Sequence, residues 1–129
     1  MTRRGDRAGR RLVGRLRDIL GARAVSVYVA DAEQGLLRRV HAVGRADDPL
    51  DRYDTVLRLD GDTPFSRSAR SGTAIWLGDR PGGSAAAVLP LRSGSVVVGV
   101  VGLAFPTPRT FPPDERAFAL ALAAQAAPA

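Results

Sequence analysis

The sequence predicts an α+β domain: an antiparallel β-sheet of about five to six strands with helices on both faces. Three observations carry this. The chain opens and closes on segments with helical apolar spacing. Between them lie strand-like apolar runs, paired across short clusters of turn residues. Two such hairpins, one early and one late, require antiparallel neighbours and leave the helices to cover the faces.

Residues 1–9 read as a flexible basic arm and residues 10–129 as a single domain. Leu12, Val13, Leu16, Ile19 and Leu20 form one stripe of a 3.6-residue helix, and Gly21 stops it. Val25, Val27 and Val29 alternate with Ser26 and Tyr28, the pattern of a half-buried strand. Asp31 to Gly35 is turn chemistry, and Leu36–Val43 returns as a second strand ending at Gly44. The acidic stretch 45–62, with Asp47, Asp48, Asp51 and Asp54 around Tyr53, reads as a loop interrupted by a short strand at Thr55–Leu59.

Thr63 followed by Pro64 is a helix start, with Thr as N-cap and Pro at the first helical position. That helix runs through Ala69 and stops at Gly72. Ala74–Leu77 reads as a short strand and Gly78–Gly83 as a surface loop. Ala85–Leu91 and Ser95–Phe105 form a hairpin about the tight turn Ser93-Gly94. Val96–Val101 has no polar residue on either face, which predicts a strand buried on both sides at the centre of the sheet. Gly99 and Gly102 within it imply close backbone approach or a bulge. Pro113 opens the last helix, and Asp114 and Glu115 place negative charge in its first turn, where the helix dipole favours it.

A chain of 129 residues, 45% hydrophobic and 25% charged, has the composition of one ordinary globular domain. It has no cysteine, which excludes disulfides, thiolate metal sites and thiol catalysis. Its apolar runs fall short of the ~20 residues that span a bilayer, and no apolar segment follows the N-terminal arginines as in a secretory signal. A cytoplasmic protein with no membrane segment is the expectation. The formal net charge of +6 is concentrated: residues 1–23 carry eight arginines against Asp6 and Asp18, while the remainder is balanced. These first 23 residues contain no aromatic side chain to stack on bases, so nucleic acid is not the expected partner. The arginines read as the solvated face of the first helix.

Catalytic chemistry is sparse. The one histidine, His41, lies in a strand and reads as structural or exposed. No serine stands in a G-x-S-x-G elbow, and Gly82-Gly83 lacks the Lys-Ser/Thr of a phosphate-binding loop. Asp60-Gly61-Asp62-Thr63 resembles a calcium loop only at its start, because Ser71 stands where the bidentate glutamate belongs. The acids at 47, 48, 51 and 54 read as a solvated loop. The expectation is a non-enzyme with no metal and with no cofactor that the residues identify.

Thr63-Pro64-Phe65 through Ser71-Gly72-Thr73-Ala74-Ile75-Trp76-Leu77 resembles the helix-then-strand passage of GAF domains. Leu89-Pro90-Leu91, Gly99-Val100-Val101-Gly102-Leu103, Phe105, Arg109, Phe111 and Asp114-Glu115 are similar to their later run, and the Ala-rich end through Gln125-Ala126 to their closing helix. The similarity covers residues 12–127. It implies a PAS-like sensory module, with the first and last helices on one face of the sheet and a small-molecule pocket on the other. It also implies a regulatory role beside a phosphatase or kinase. No such domain follows Ala129, so a free-standing subunit or a remnant is expected. The GAF class that reduces free methionine sulfoxide uses cysteines, as bilin-holding GAF domains do, and neither chemistry suits this chain. Of the cyclic-nucleotide signature Asn-Lys…Phe…Asp-Glu, only Phe111, Asp114 and Glu115 are echoed; Arg109 is expected to replace the Lys in a structural pair with Asp114.

On this resemblance the candidate ligand-binding residues are His41, Tyr53, Phe65, Arg67 and Trp76. The Ala-rich last helix is apolar all round, more than one sheet contact needs. A homodimer through the first and last helices is therefore expected, with Leu12, Leu16, Ile19, Phe118 and Leu122 at its interface. The alternative function is a ligand-free protein-interaction module, or a regulator associated with nucleic acid through its basic arm.

Overall fold

The computed structural model describes residues 3–44, 53–80 and 83–126, with side chains from Arg10 onward except those of Leu12 and Ala126. The elements run α1 (Arg3–Leu20), β1 (Ala24–Asp31), β2 (Leu36–Val43), β3 (Val56–Arg58), α2 (Pro64–Ser71), β4 (Ile75–Arg80), β5 (Ser84–Ser93), β6 (Val96–Phe105) and α3 (Pro113–Ala126). The strands form one antiparallel sheet in the order β3-β2-β1-β6-β5-β4. The two hairpins, β1–β2 and β5–β6, meet where β1 pairs with β6, so the longest strands lie at the centre.

Helices cover both faces. α1 and α3 pack on each other, α1 over β1 and β2 and α3 over β5, while α2 lies across β5 and β6 on the other side. The strand alternation divides the core accordingly. Val25, Leu89, Val101 and Leu103 meet Leu16 and Leu122 beneath α1 and α3. Tyr28, Leu37, Leu57, Val88 and Val100 meet Phe65 beneath α2.

Local chemistry fixes α2. The Thr63 hydroxyl accepts from the Ser66 N–H at 3.0 Å, and Pro64 occupies the first turn. Gly72 ends the helix at φ +70°, a left-handed cap that only glycine adopts cheaply, and its N–H donates to the Ser68 carbonyl at 2.8 Å. The inner serines turn to backbone: Ser66 Oγ donates to the Arg58 carbonyl at 2.6 Å and Ser68 Oγ to that of Thr73 at 2.8 Å.

Four details depart from the sequence reading. α1 begins at Arg3, ahead of the apolar stripe, because Arg and Ala are good helix formers and no proline interrupts residues 3–9. β6 is buried only from Gly99 to Phe105, and Val96 is 62% exposed, since the hairpin end projects beyond the covering helices. Its turn is Gly94-Ser95, with Gly94 at φ +63°. β4 extends to Arg80 because that residue pairs with Ser84 of β5 past an irregular step, so residues 78–80 are not part of a loop. Gly99 is a close approach, as expected: a methyl there would run into the Tyr28 carbonyl.

Candidate functional site

The face under α2 holds a cluster of three aromatic rings. Phe65 projects from the first turn of α2 into the sheet, with its centroid 4.7 Å from that of Tyr28 and 5.3 Å from that of Tyr53. Phe65 and Tyr28 are both fully buried, and Tyr53 is half-buried. The Tyr28 hydroxyl donates to the Asp54 carbonyl at 2.9 Å, tying β1 to the segment that precedes β3. Burial raises the Tyr28 pKa above its ordinary value of 10.0, against the opposing charge and hydrogen bond of Arg39.

Arg39 is the residue that sequence reasoning missed. It stands opposite Tyr28 in the β1–β2 ladder, and its Nη1 is a buried polar atom with no hydrogen-bond partner among the described residues. Read alone, the pair Arg38-Arg39 looks like surface charge. The available signal was alternation, since Arg39 shares parity with the apolar Leu37.

The five candidate ligand residues do not form one site. Tyr53 and Phe65 lie together beneath α2, and Arg67 is exposed on that helix. Trp76 and His41 are on the opposite face. Trp76 packs with Phe111 at 5.2 Å under the Arg116 guanidinium, whose carbon is 5.2 Å from the indole centroid. His41 stands beside Val43 in a groove against α1. Asp47, Asp48 and Asp51 lie outside the described residues.

The candidate interface residues separate in the same way. Leu16 is fully buried and Leu122 is 5% exposed; both hold their helices to the sheet and belong to the core, not the surface. Ile19, 50% exposed, and Phe118, 46% exposed, remain on the outside, joined by Leu120 at 39%. Leu12 lies outside the described side chains. Arg15 donates to Gln125 at 3.4 Å across the α1–α3 seam.

A second cluster locks the far ends of these helices together. The Arg109 guanidinium is 4.6 Å from the Phe105 centroid and 4.9 Å from that of Phe111; it donates to the Leu20 carbonyl at 3.2 Å and pairs with Glu115. The expected partner was Asp114, but that residue is exposed and the next one in the first turn of α3 takes the role. The clasp joins the C-terminus of α1, the end of β6 and the start of α3.

Among the described residues no group of three or more His, Cys, Asp or Glu is placed to hold a metal ion, and no helix is long and apolar enough to cross a membrane. The face under α2 offers apolar and aromatic surface with one unsatisfied guanidinium nitrogen. That chemistry suits an apolar or aromatic body with a hydrogen-bond acceptor.

Several solved structures share this fold. The GAF/HD domain protein from Geobacter sulfurreducens aligns with a TM-score of 0.78 at 20% identity, covering 95% of this chain and 89% of that one. The GAF-B domain of DevS from Mycobacterium smegmatis gives 0.76 at 23% identity, covering 95% and 90%. The type II free methionine-R-sulfoxide reductase from Thermoplasma acidophilum gives 0.74 at 17% identity, covering 96% and 92%. Curated protein sequences give no match. The family model described as "GAF domain" matches residues 6–129. With the helices, the strand order and that match in agreement over nearly its whole length, the chain belongs to the GAF domain family.

Proposed function

We propose that this GAF domain is a non-catalytic regulatory module of the cytoplasm that passes a signal through the α1–α3 face of a homodimer to a kinase or phosphatase partner. One observation carries the reading: Ile19 and Phe118 are exposed on the two helices that pack together, above Leu16 and Leu122, which already satisfy the sheet. An apolar face left over after the core is complete gains most from a second copy of itself. The small exposed side chains Ala117, Ala121 and Ala124 allow close helix approach. The chain has no native cysteine, so single I19C and F118C variants report pairing directly. Rapid disulfide cross-linking of either supports the homodimer, and its absence from both rejects it.

A second reading, small-ligand sensing, has its own observation in the unsatisfied Arg39 Nη1 beside Tyr28 and the half-buried Tyr53. A ligand there carries an acceptor for Arg39 and an aromatic or apolar body for the rings. A thermal-shift screen of metabolites and nucleotides tests it: a hit lost in R39Q supports sensing, and no hit leaves the protein-contact reading alone.

A further inference from the structure

The opposite side of the molecule has a concave site that neither reading uses. A groove of about 370 Å³ runs between α1 and β2, lined by Arg10, Val13, Gly14 and Arg17 of the helix and by His41, Ala42 and Val43 of the strand. Its construction follows from helical spacing. Residues 10, 14 and 17 lie on one flank of α1, two turns long, so Arg10 and Arg17 frame the groove from above. Gly14 lies between them and faces open space, since a Cβ there would meet nothing within 4 Å. Val13, 5% exposed, supplies an apolar floor, and His41 closes the β2 side.

Among the described residues neither Arg10 nor Arg17 is paired with a carboxylate. Arg11 and Arg15 of the same helix do not line the groove, and Arg15 reaches Gln125 across the α1–α3 seam. Two guanidiniums and an imidazole around one cavity are the donors that a phosphate group takes, since arginine forks match its oxygens and the imidazole adds a further N–H. The volume suits a small molecule, not a polymer.

We propose that the α1–β2 groove binds a phosphate-bearing small anion, held by Arg10, Arg17 and His41. The site lies on the face opposite Tyr28 and Arg39 and is independent of the ligand reading above. It would link anion binding to the seating of α1 on the sheet.

The probes are inorganic phosphate and pyrophosphate, titrated into the full chain at low ionic strength. His41 is the one histidine, so its ring resonances in an NMR titration report the site without assignment of the rest. Saturable shifts with pyrophosphate are expected, weakened about tenfold or more in R10Q/R17Q, where two charge-assisted contacts are lost. G14M, which fills the groove at unchanged charge, is expected to abolish them. R11Q/R15Q, with the same net charge as R10Q/R17Q, is expected to bind as the parent does. Equal weakening in R11Q/R15Q and R10Q/R17Q overturns the proposal, because it reduces binding to the general charge of the helix. Binding that survives G14M overturns it too, as does no saturable shift with either anion. Phosphatidylglycerol vesicles separate the remaining source: attachment to vesicles without binding of soluble pyrophosphate overturns the site in favour of a lipid surface.

Discussion

Trp76 and Phe111 lie with ring centroids 5.2 Å apart, on the face of the sheet opposite Phe65. This contact joins edge strand β4 to the segment entering α3. It makes the single tryptophan a reporter of the α3 side, with Arg116 above it. Ligands that enter beneath α2 are expected to leave its emission unchanged, whereas variants that shift α3 change it.

Arg109 is the strongest such variant. R109A removes two ring contacts, a half-buried ion pair and the donor to the Leu20 carbonyl. A loss of about 2 kcal/mol is expected, since each contact is individually modest and partly screened. R109K keeps the charge but not the planar stacking and is expected to fall between. Urea unfolding followed by Trp76 fluorescence measures both.

Two glycines predict opposite signs. G14A sits mid-helix with open space around its Cβ and is expected to stabilise by roughly 0.5–1 kcal/mol. G72A forces an L side chain into φ +70° and against the Arg92 guanidinium, and is expected to cost about 1 kcal/mol or more. Paired thermal denaturation curves decide both.

The aromatic cluster under α2 is expected to behave as core. F65A should cost about 3–5 kcal/mol, the range for deleting a fully buried Phe ring. T63A should cost about 1 kcal/mol through the lost helix cap. If F65A is nearly neutral, the space beneath α2 is loosely filled.

Tyr28 sets an alkaline limit. Its folded pKa is raised, so its contribution to stability is complete below the unfolded value, 10.0, and is lost as pH rises through the higher folded one. Stability is expected to fall in the parent from the unfolded value, 10.0, up to the raised folded one, and to fall less in Y28F. Chemical denaturation at stepped alkaline pH, with the tyrosinate absorbance band as a second signal, measures the difference.

The sequence made the elements legible where local chemistry is decisive. Thr63-Pro64 and Gly72 bound α2 as predicted, and the helix–strand order and GAF resemblance placed α1 and α3 together. The faces were harder. In a regular β2 strand, His41 would share a side with Leu37 and Arg39. The ladder pairs Arg39 with Tyr28 and His41 with Val27, so Val40 is an extra residue and His41 turns toward α1. Trp76 is one residue from Ile75, which does face α2, and only the β4–β5 register decides between them. Leu16 and Leu122 were expected at an interface and are core instead, because which apolar residues of α1 and α3 remain outside depends on how the two helices lean on each other.

The proposed homodimer through Ile19 and Phe118 is open to sedimentation equilibrium of the parent chain and of I19E/F118E. Twice the 13.6 kDa chain mass is expected for the parent, and a folded monomer with unchanged circular dichroism for the variant. A parent that stays monomeric as concentration rises, or a variant that remains dimeric, contradicts it.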